Sequence, residues 1–240
     1  MTSGGATSGG ATSSNGGSSS SGFAGTTSTS TSTGAASSSS GGGTGTTGSS
    51  GAPITCQNPS TAYQMNGGNC GTERWSVKTG TDNDVLSVSL VPVPTTIAQL
   101  TALPVPANQS ATCNRNPPTE TTVYELVDVN LHFHSLESDS DYHIVASDQS
   151  GNSMIVEAVY PGCVGHDACS NNAPFTCEIS RTRESADALH AANQDMVGTV
   201  VGVGFFDFLH GQSGVAPNGI ELHPLLALCL GQGCNPFAGY

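Results

Sequence analysis

The stretch TTVYELVDVNLHFHSLESDSDYHIVASDQSGNSMIVEAVY, residues 121–160, decides the fold class. Val123, Val127, Val129, Leu131 and Phe133 take odd positions, with Asp128, Asn130, His132 and His134 at the even positions between. Side chains on a strand alternate between two faces, so a period of two predicts a strand with one apolar and one wet face. Leu136–Asp141 (LESDSD) then reads as a polar turn and Tyr142–Ser147 (YHIVAS) as a second strand. Asp148–Ser153 (DQSGNS) reads as a tight turn and Met154–Tyr160 (MIVEAVY) as a third strand. The alternation predicts that Val127, Val129, Leu131, Ile144, Ile155 and Val201 are buried together.

Downstream, Glu178–Gln194 is rich in good helix formers. Thr199–Leu209 is predicted as a fourth strand, bent or bulged at Gly202 and Gly204. His210–Gly219 is a loop, and Ile220–Leu228 a fifth strand, with Pro224 implying an edge or bulge position. The order β-β-β-α-β-β predicts an all-β chain: a five-stranded OB-like Greek-key barrel with one helix between strands three and four. That helix disfavours the competing small β-sandwich.

Upstream, residues 54–118 have little regular pattern. Val85, Leu86, Val88, Leu90 and Val91 suggest one short strand, and Thr96–Leu103 one or two helical turns. Pro92, Pro94, Pro104, Pro106, Pro117 and Pro118 forbid a long helix or a central strand. The expected organisation is a Ser/Gly/Thr-rich tether at 1–53, an irregular extension at 54–118 packed on the barrel, the barrel at 119–230, and a tail at 231–240. The tether has too few apolar groups to offset its ordering entropy and should be a flexible coil, with a root-mean-square span of roughly 40 Å.

Among 240 residues, 18 acids face 5 bases, a net charge of −13. Nucleic-acid affinity is built largely from Lys and Arg neutralising phosphates, so this balance argues against a nucleic-acid partner. No apolar run is long enough for a transmembrane segment. Eight cysteines (Cys56, Cys70, Cys113, Cys163, Cys169, Cys177, Cys229 and Cys234), with no CxxC pair, favour disulfides over zinc or redox chemistry. Of the possible pairings, Cys229–Cys234 is the most plausible local one. Disulfides and tether together predict an extracellular or cell-envelope location. No signal peptide is visible in the chain, and the tether is of the kind lipoproteins use.

Several blocks resemble a set of uncharacterised exported bacterial proteins with an OB-like barrel: CGTERWSVKT (Cys70–Thr79), ETTVYEL (Glu120–Leu126), DSDYHIVASD (Asp139–Asp148), MIVEAVYPGC (Met154–Cys163) and GVGFFDFLHGQSGVAPNGIELHP (Gly202–Pro224). That resemblance implies the fold and export, and it brings no activity. The chain is also weakly similar to the core of staphylococcal-type thermonucleases, which places Asp139 and Asp141 where calcium-binding carboxylates stand. It places Glu157 where those enzymes carry an essential arginine. Between Arg115 and Arg181 there is no base, and phosphoryl transfer needs cations near the developing charge.

His132 and His134 share one strand face, and His143 opens the next strand. Such histidines could hold zinc with an open position for water. The HFH string is similar to the zinc strand of α-type carbonic anhydrases, whose remaining site residues have no counterpart here. Asp207, His210, Glu221 and His223 flank the loop between strands four and five, beside the usual ligand face of an OB barrel. They are candidate ligand contacts; alternatively they hydrogen-bond the loop itself, with Gly211, Gly214 and Gly219 supplying its unusual dihedrals. Trp75, the sole tryptophan, is a candidate stacking platform or an anchor for the extension.

The leading expectation is a secreted or surface-tethered binding module that needs no cofactor and does no chemistry. Its partner would be a glycan, peptide or envelope protein. The alternative is a metal-dependent (zinc or calcium) hydrolase or hydrase, using His132, His134 and His143 or a His/carboxylate cluster.

Overall fold

The structure is a computed structural model that describes residues 53–56, 68–107, 109 and 111–238. The tether expected over 1–53 lies, up to residue 52, outside the described residues. The chain is mostly strands. In order they run α1 (Trp75–Thr79), β1 (Ser89–Thr95), α2 (Ile97–Thr101), β2 (Thr122–Leu136), β3 (Tyr142–Ser147), β4 (Ser153–Ala158), α3 (Thr176–Ala192), β5 (Met196–Phe206) and β6 (Ile220–Leu230). Five strands close on themselves in the order β2-β3-β4-β6-β5-β2. The β4–β6 pairing is parallel and the other four are antiparallel. The extra strand, β1, runs parallel to the first half of β2 and pairs with no other strand among the described residues, though the Ile54 N–H donates to its Leu90 carbonyl at 2.9 Å. Its prolines, Pro92 and Pro94, lack a ladder donor and are tolerated at such an edge.

β2 is long because it serves two sets of neighbours, β1 and β5 along its first half and β3 along its second. It bends between Leu126 and Val129, where the register with β5 shifts and Asp128 takes φ 52°. This bulge corrects the expected alternation. Leu126 before it and Val129 and Leu131 after it face the same cluster, while Val127 falls inside the bulge and is 46% exposed. Two residues opposite one reverse the parity of the strand, which a strict period of two does not anticipate.

The expected single buried set is also two sets. Leu126, Val129, Leu131, Ile144, Ala146, Val156, Val200, Leu222 and Leu228 meet in one cluster drawn from all five barrel strands, closed over by Ile97 and Leu100 of α2 and Ala186 and Leu189 of α3. Val201 belongs instead to a second cluster with Val123, Val203, Leu226 and Ala227, covered by Ile54, Val85, Val88, Phe175 and Ile179. Ile155 is buried but belongs to neither cluster. Both faces of β6 are therefore covered, and its first nine residues are all buried. β4 pairs with β6 only at Glu221 and Leu222, and Pro224, just beyond, takes the bulge position expected of it, where the β5–β6 register shifts around Gly202 and Gly204.

Two buried ion pairs pin the extension down. Arg74 Nη1 and Nη2 donate to Glu120 Oε1 and Oε2, each at 2.8 Å, and Nη1 also reaches the Phe206 carbonyl at 3.1 Å. Arg115 Nη2 donates to Asp82 Oδ2 at 2.7 Å and to the Val77 carbonyl at 2.9 Å. The eight cysteines form four disulfides: Cys56–Cys177, Cys70–Cys163, Cys113–Cys169 and Cys229–Cys234. Three of them join the extension to the segment between β4 and the first turn of α3. No helix among the described residues is long and apolar enough to cross a membrane.

Candidate functional site

Strand register assembles the site. His143 of β3 sits opposite Glu157 of β4, and β6 runs alongside β4 with Ile155 beside Glu221 and Val156 beside Leu222. The even residues Ile144, Val156 and Leu222 face the barrel cluster. His143, Glu157, Glu221 and His223 therefore point to the opposite, outer face of the sheet. There the extension lies over them, bringing Trp75 and Lys78 of α1, while the loop after β5 brings Asp207 and His210. Together with Glu73, Glu137, Asp139 and Gln212, all of these side chains except His223 line a cavity of about 630 Å³. Among the described residues Lys78 is the only Lys or Arg in its lining, which also holds His134, His143 and His210.

Beneath the cavity the titratable groups stand close to one another. His223 is fully buried; its Nε2 lies 3.3 Å from Asp141 Oδ2, and its Nδ1 lies 3.0 Å from Glu157 Oε2 and 3.9 Å from Glu221 Oε2. None of these approaches has the alignment of a hydrogen bond, so both ring nitrogens, Asp141 Oδ2 and Glu221 Oε2 are left without a hydrogen-bond partner. Lys78 Nζ lies 3.3 Å from Asp207 Oδ2. His143 donates or accepts at Nε2 with the Ser213 carbonyl at 2.9 Å, and its Nδ1 stands 3.6 Å from Glu137 and 3.7 Å from Glu157.

These surroundings separate the carboxylates. Burial raises Glu157, but the charges of His223 and Lys78 outweigh it and hold the group at about 2. Burial dominates for Glu221, pushed up to about 7, and for Asp141, raised to about 6 against the pull of His223. Burial disfavours charge on His223, yet Glu157 and Asp141 raise it well above the ordinary imidazole value. Burial likewise disfavours charge on Lys78, and Glu157, Asp207 and Glu221 together raise it. Carboxylates pushed so far apart inside a cleft are characteristic of sites that bind ions or move protons.

Of the residues singled out from the sequence, Asp207, His210, Glu221, Trp75, His134 and His143 line the cavity, and His223 lies directly beneath it. The loop they flank also bonds to itself: Gln212 Nε2 reaches the Phe208 carbonyl at 2.9 Å and His210 Nε2 at 2.8 Å. Gly211, Gly214 and Gly219 all take positive φ, and a Cβ on Gly214 would stand 2.5 Å from Val145. Trp75 is 2% exposed, donates from Nε1 to the Cys163 carbonyl at 3.2 Å, and has Gly71 against its ring. It anchors the extension, and its face is not free for stacking. His132, His134 and His143 do not converge. His132 Nδ1 pairs with Asp195 at 2.7 Å on the exposed surface, and the His134 ring centre stands 6.2 Å from that of His132 and 5.1 Å from that of His143. Among the described residues, the group of His, Cys, Asp or Glu donors close enough to share one ion is Asp141, Glu157 and His223, all buried.

Sequence reading missed that trio as a unit, and missed Lys78. The signal was available in period two: Glu157 is the lone charge in MIVEAVY, Asp141 and His143 alternate in DYH, and Glu221 and His223 alternate in ELH. Each is a titratable residue on a largely buried strand or, for Asp141, immediately before one.

The chain matches no protein-family model, no curated protein and no solved structure.

Proposed function

We propose that this protein is an exported OB-like binding module whose outer-face cavity takes up a ligand carrying positive charge. The observation that carries the reading is the lining itself: Glu73, Glu137, Asp139, Glu157, Asp207 and Glu221 against Lys78 and the imidazoles of His134, His143 and His210. The strand pairing, with β4 parallel to β6 and α3 between β4 and β5, supports the OB assignment. It agrees with the resemblance to uncharacterised exported barrel proteins. Four disulfides are consistent with an extracellular protein. The partner that fits is a cationic peptide segment, an amino-bearing glycan or a basic patch of an envelope protein.

Arg74, Lys78, Arg115 and Arg183 are all buried, so almost no positive charge remains for a phosphate backbone. In fluorescence anisotropy at physiological salt, a labelled oligolysine peptide is expected to bind saturably. A labelled single-stranded DNA of equal length is expected not to bind. Glu137→Gln/Asp139→Asn, at the rim, should weaken the peptide at least tenfold, while the remote Asp167→Asn/Glu184→Gln should leave it unchanged. Equal losses in both variants would mean only a general attraction to an acidic surface, and would defeat the cavity reading.

A second reading, a metal-dependent hydrolase, is favoured by the buried Asp141, Glu157 and His223 beneath the same cavity.

A further inference from the structure

We infer that Asp141, Glu157 and His223 form a binding site for one divalent transition-metal ion of the zinc or manganese class. This deepens the cation-accepting reading of the cavity by naming an occupant for its floor. Each of the three residues offers one donor atom, and the three atoms lie within 4.8 Å of one another. Two donors on one tetrahedral zinc, at about 2.0–2.1 Å from the metal, stand about 3.4 Å apart. The 3.3 Å from His223 Nε2 to Asp141 Oδ2 matches that edge.

The second observation is independent of spacing. His223 is wholly buried, both its nitrogens lack a hydrogen-bond partner, and so does Asp141 Oδ2. A buried polar atom without a partner costs about 1–3 kcal/mol, and more when charged. An ion at Nε2 would satisfy that nitrogen and Asp141 Oδ2 together, while Nδ1, on the other side of the ring, faces Glu157 Oε2 at 3.0 Å.

The donor set chooses the metal. One imidazole with two carboxylates suits zinc or manganese, whereas calcium takes six to eight oxygens and no nitrogen. Lys78 is held by Asp207 and leaves Asp141 unengaged. Glu157 belongs both to the trio and to the cavity wall, so an ion held there would be reached from the cavity. Water on such an ion can become a nucleophile at neutral pH, which is the chemistry the hydrolase reading needs.

The test uses the full chain with its disulfides intact, stripped with EDTA and titrated with Zn²⁺, Mn²⁺ and Ca²⁺ by calorimetry, with metal content measured after dialysis. One equivalent of zinc or manganese per chain is expected, with calcium at least tenfold weaker. Glu157→Gln and Asp141→Asn should each lower zinc affinity by about 100-fold with an unchanged circular dichroism spectrum, while His132→Ala/His134→Ala should leave it unaltered. X-ray absorption of zinc-loaded wild type, which needs no variant, should show a shell of nitrogen and oxygen with a single imidazole. No stoichiometric binding, several weak equivalents, loss in the His132/His134 variant or a shell with two imidazoles would each overturn the site. Metal binding without oligolysine binding would leave the site standing and remove the peptide reading; the reverse result would remove the site alone.

Discussion

Replacing Arg74 with alanine is expected to cost about 3–5 kcal/mol of folding stability, because it strands the buried Glu120 carboxylate. Glu120 is fully buried and accepts from both Nη1 and Nη2 of Arg74. It also accepts from the backbone N–H of Asn116 at 2.6 Å and of Phe206 at 3.0 Å. The pair therefore ties α1 to the end of β5 and to the turn that starts β2. Burial by itself would raise the carboxyl, but the Arg74 hydrogen bonds and charge outweigh it and hold the group below its ordinary 4.5. A depressed carboxyl contributes stability that is fully present above the unfolded value and lost as pH falls through the folded one. Without Arg74 the sign reverses, since burial then dominates and protonation relieves the penalty. The stability gap between wild type and Arg74→Ala should thus be widest near pH 7 and narrow toward pH 4. Urea denaturation at both pH values measures it; a gap under about 1 kcal/mol, or one that does not change with pH, would contradict this account.

Removing the Cys70–Cys163 bridge should be the second large loss. Its partners are 93 residues apart, and on the loop-entropy scale closing such a loop is worth about 4.7 kcal/mol. Cys229–Cys234 spans only 5 residues and should be worth about 2 kcal/mol on the same scale. Cys70→Ser/Cys163→Ser should therefore lower the melting temperature by roughly 10 °C or more, and Cys229→Ser/Cys234→Ser by roughly half as much. The larger loss also has a local consequence. Cys70 lines the cavity, and the Cys163 carbonyl receives the indole N–H of Trp75, so the bridge holds the roof over Glu157 and Glu221. Equal melting temperatures for the two double variants would show that loop closure is not what these bridges contribute.

Strand identity was legible because period two is a local property. YHIVAS is β3 residue for residue, and the predicted fifth strand differs from β6 only at its last two residues. The self-bonded loop after β5 was legible too, since its glycines announce positive φ. Boundaries slipped where a bulge intervened. Nothing local to Leu126–Val129 says that two residues will oppose one, and so Val127 was assigned to a core it does not enter. The short strand expected at Val85–Val91 starts later, because Val85–Ser87 makes a 3₁₀ turn that buries Val85 under the second cluster.

The sequence by itself determined the alternating strands, the prolines that confine β1 to an edge, the acidic balance and the even, CxxC-free cysteine count. These follow from backbone stereochemistry, charge and redox chemistry, which act within a few residues or on totals. Only the tertiary structure decided which face of each strand is roofed and which donors meet. Asp141, Glu157 and His223 are separated by 16 and 66 residues along the chain, and they become neighbours through the β3–β4 hairpin and the parallel β4–β6 pairing. The same closure sent His132 outward to Asp195 and buried Trp75 under the extension. Contacts of that kind depend on how the sheet closes and what covers it, and no local pattern encodes either.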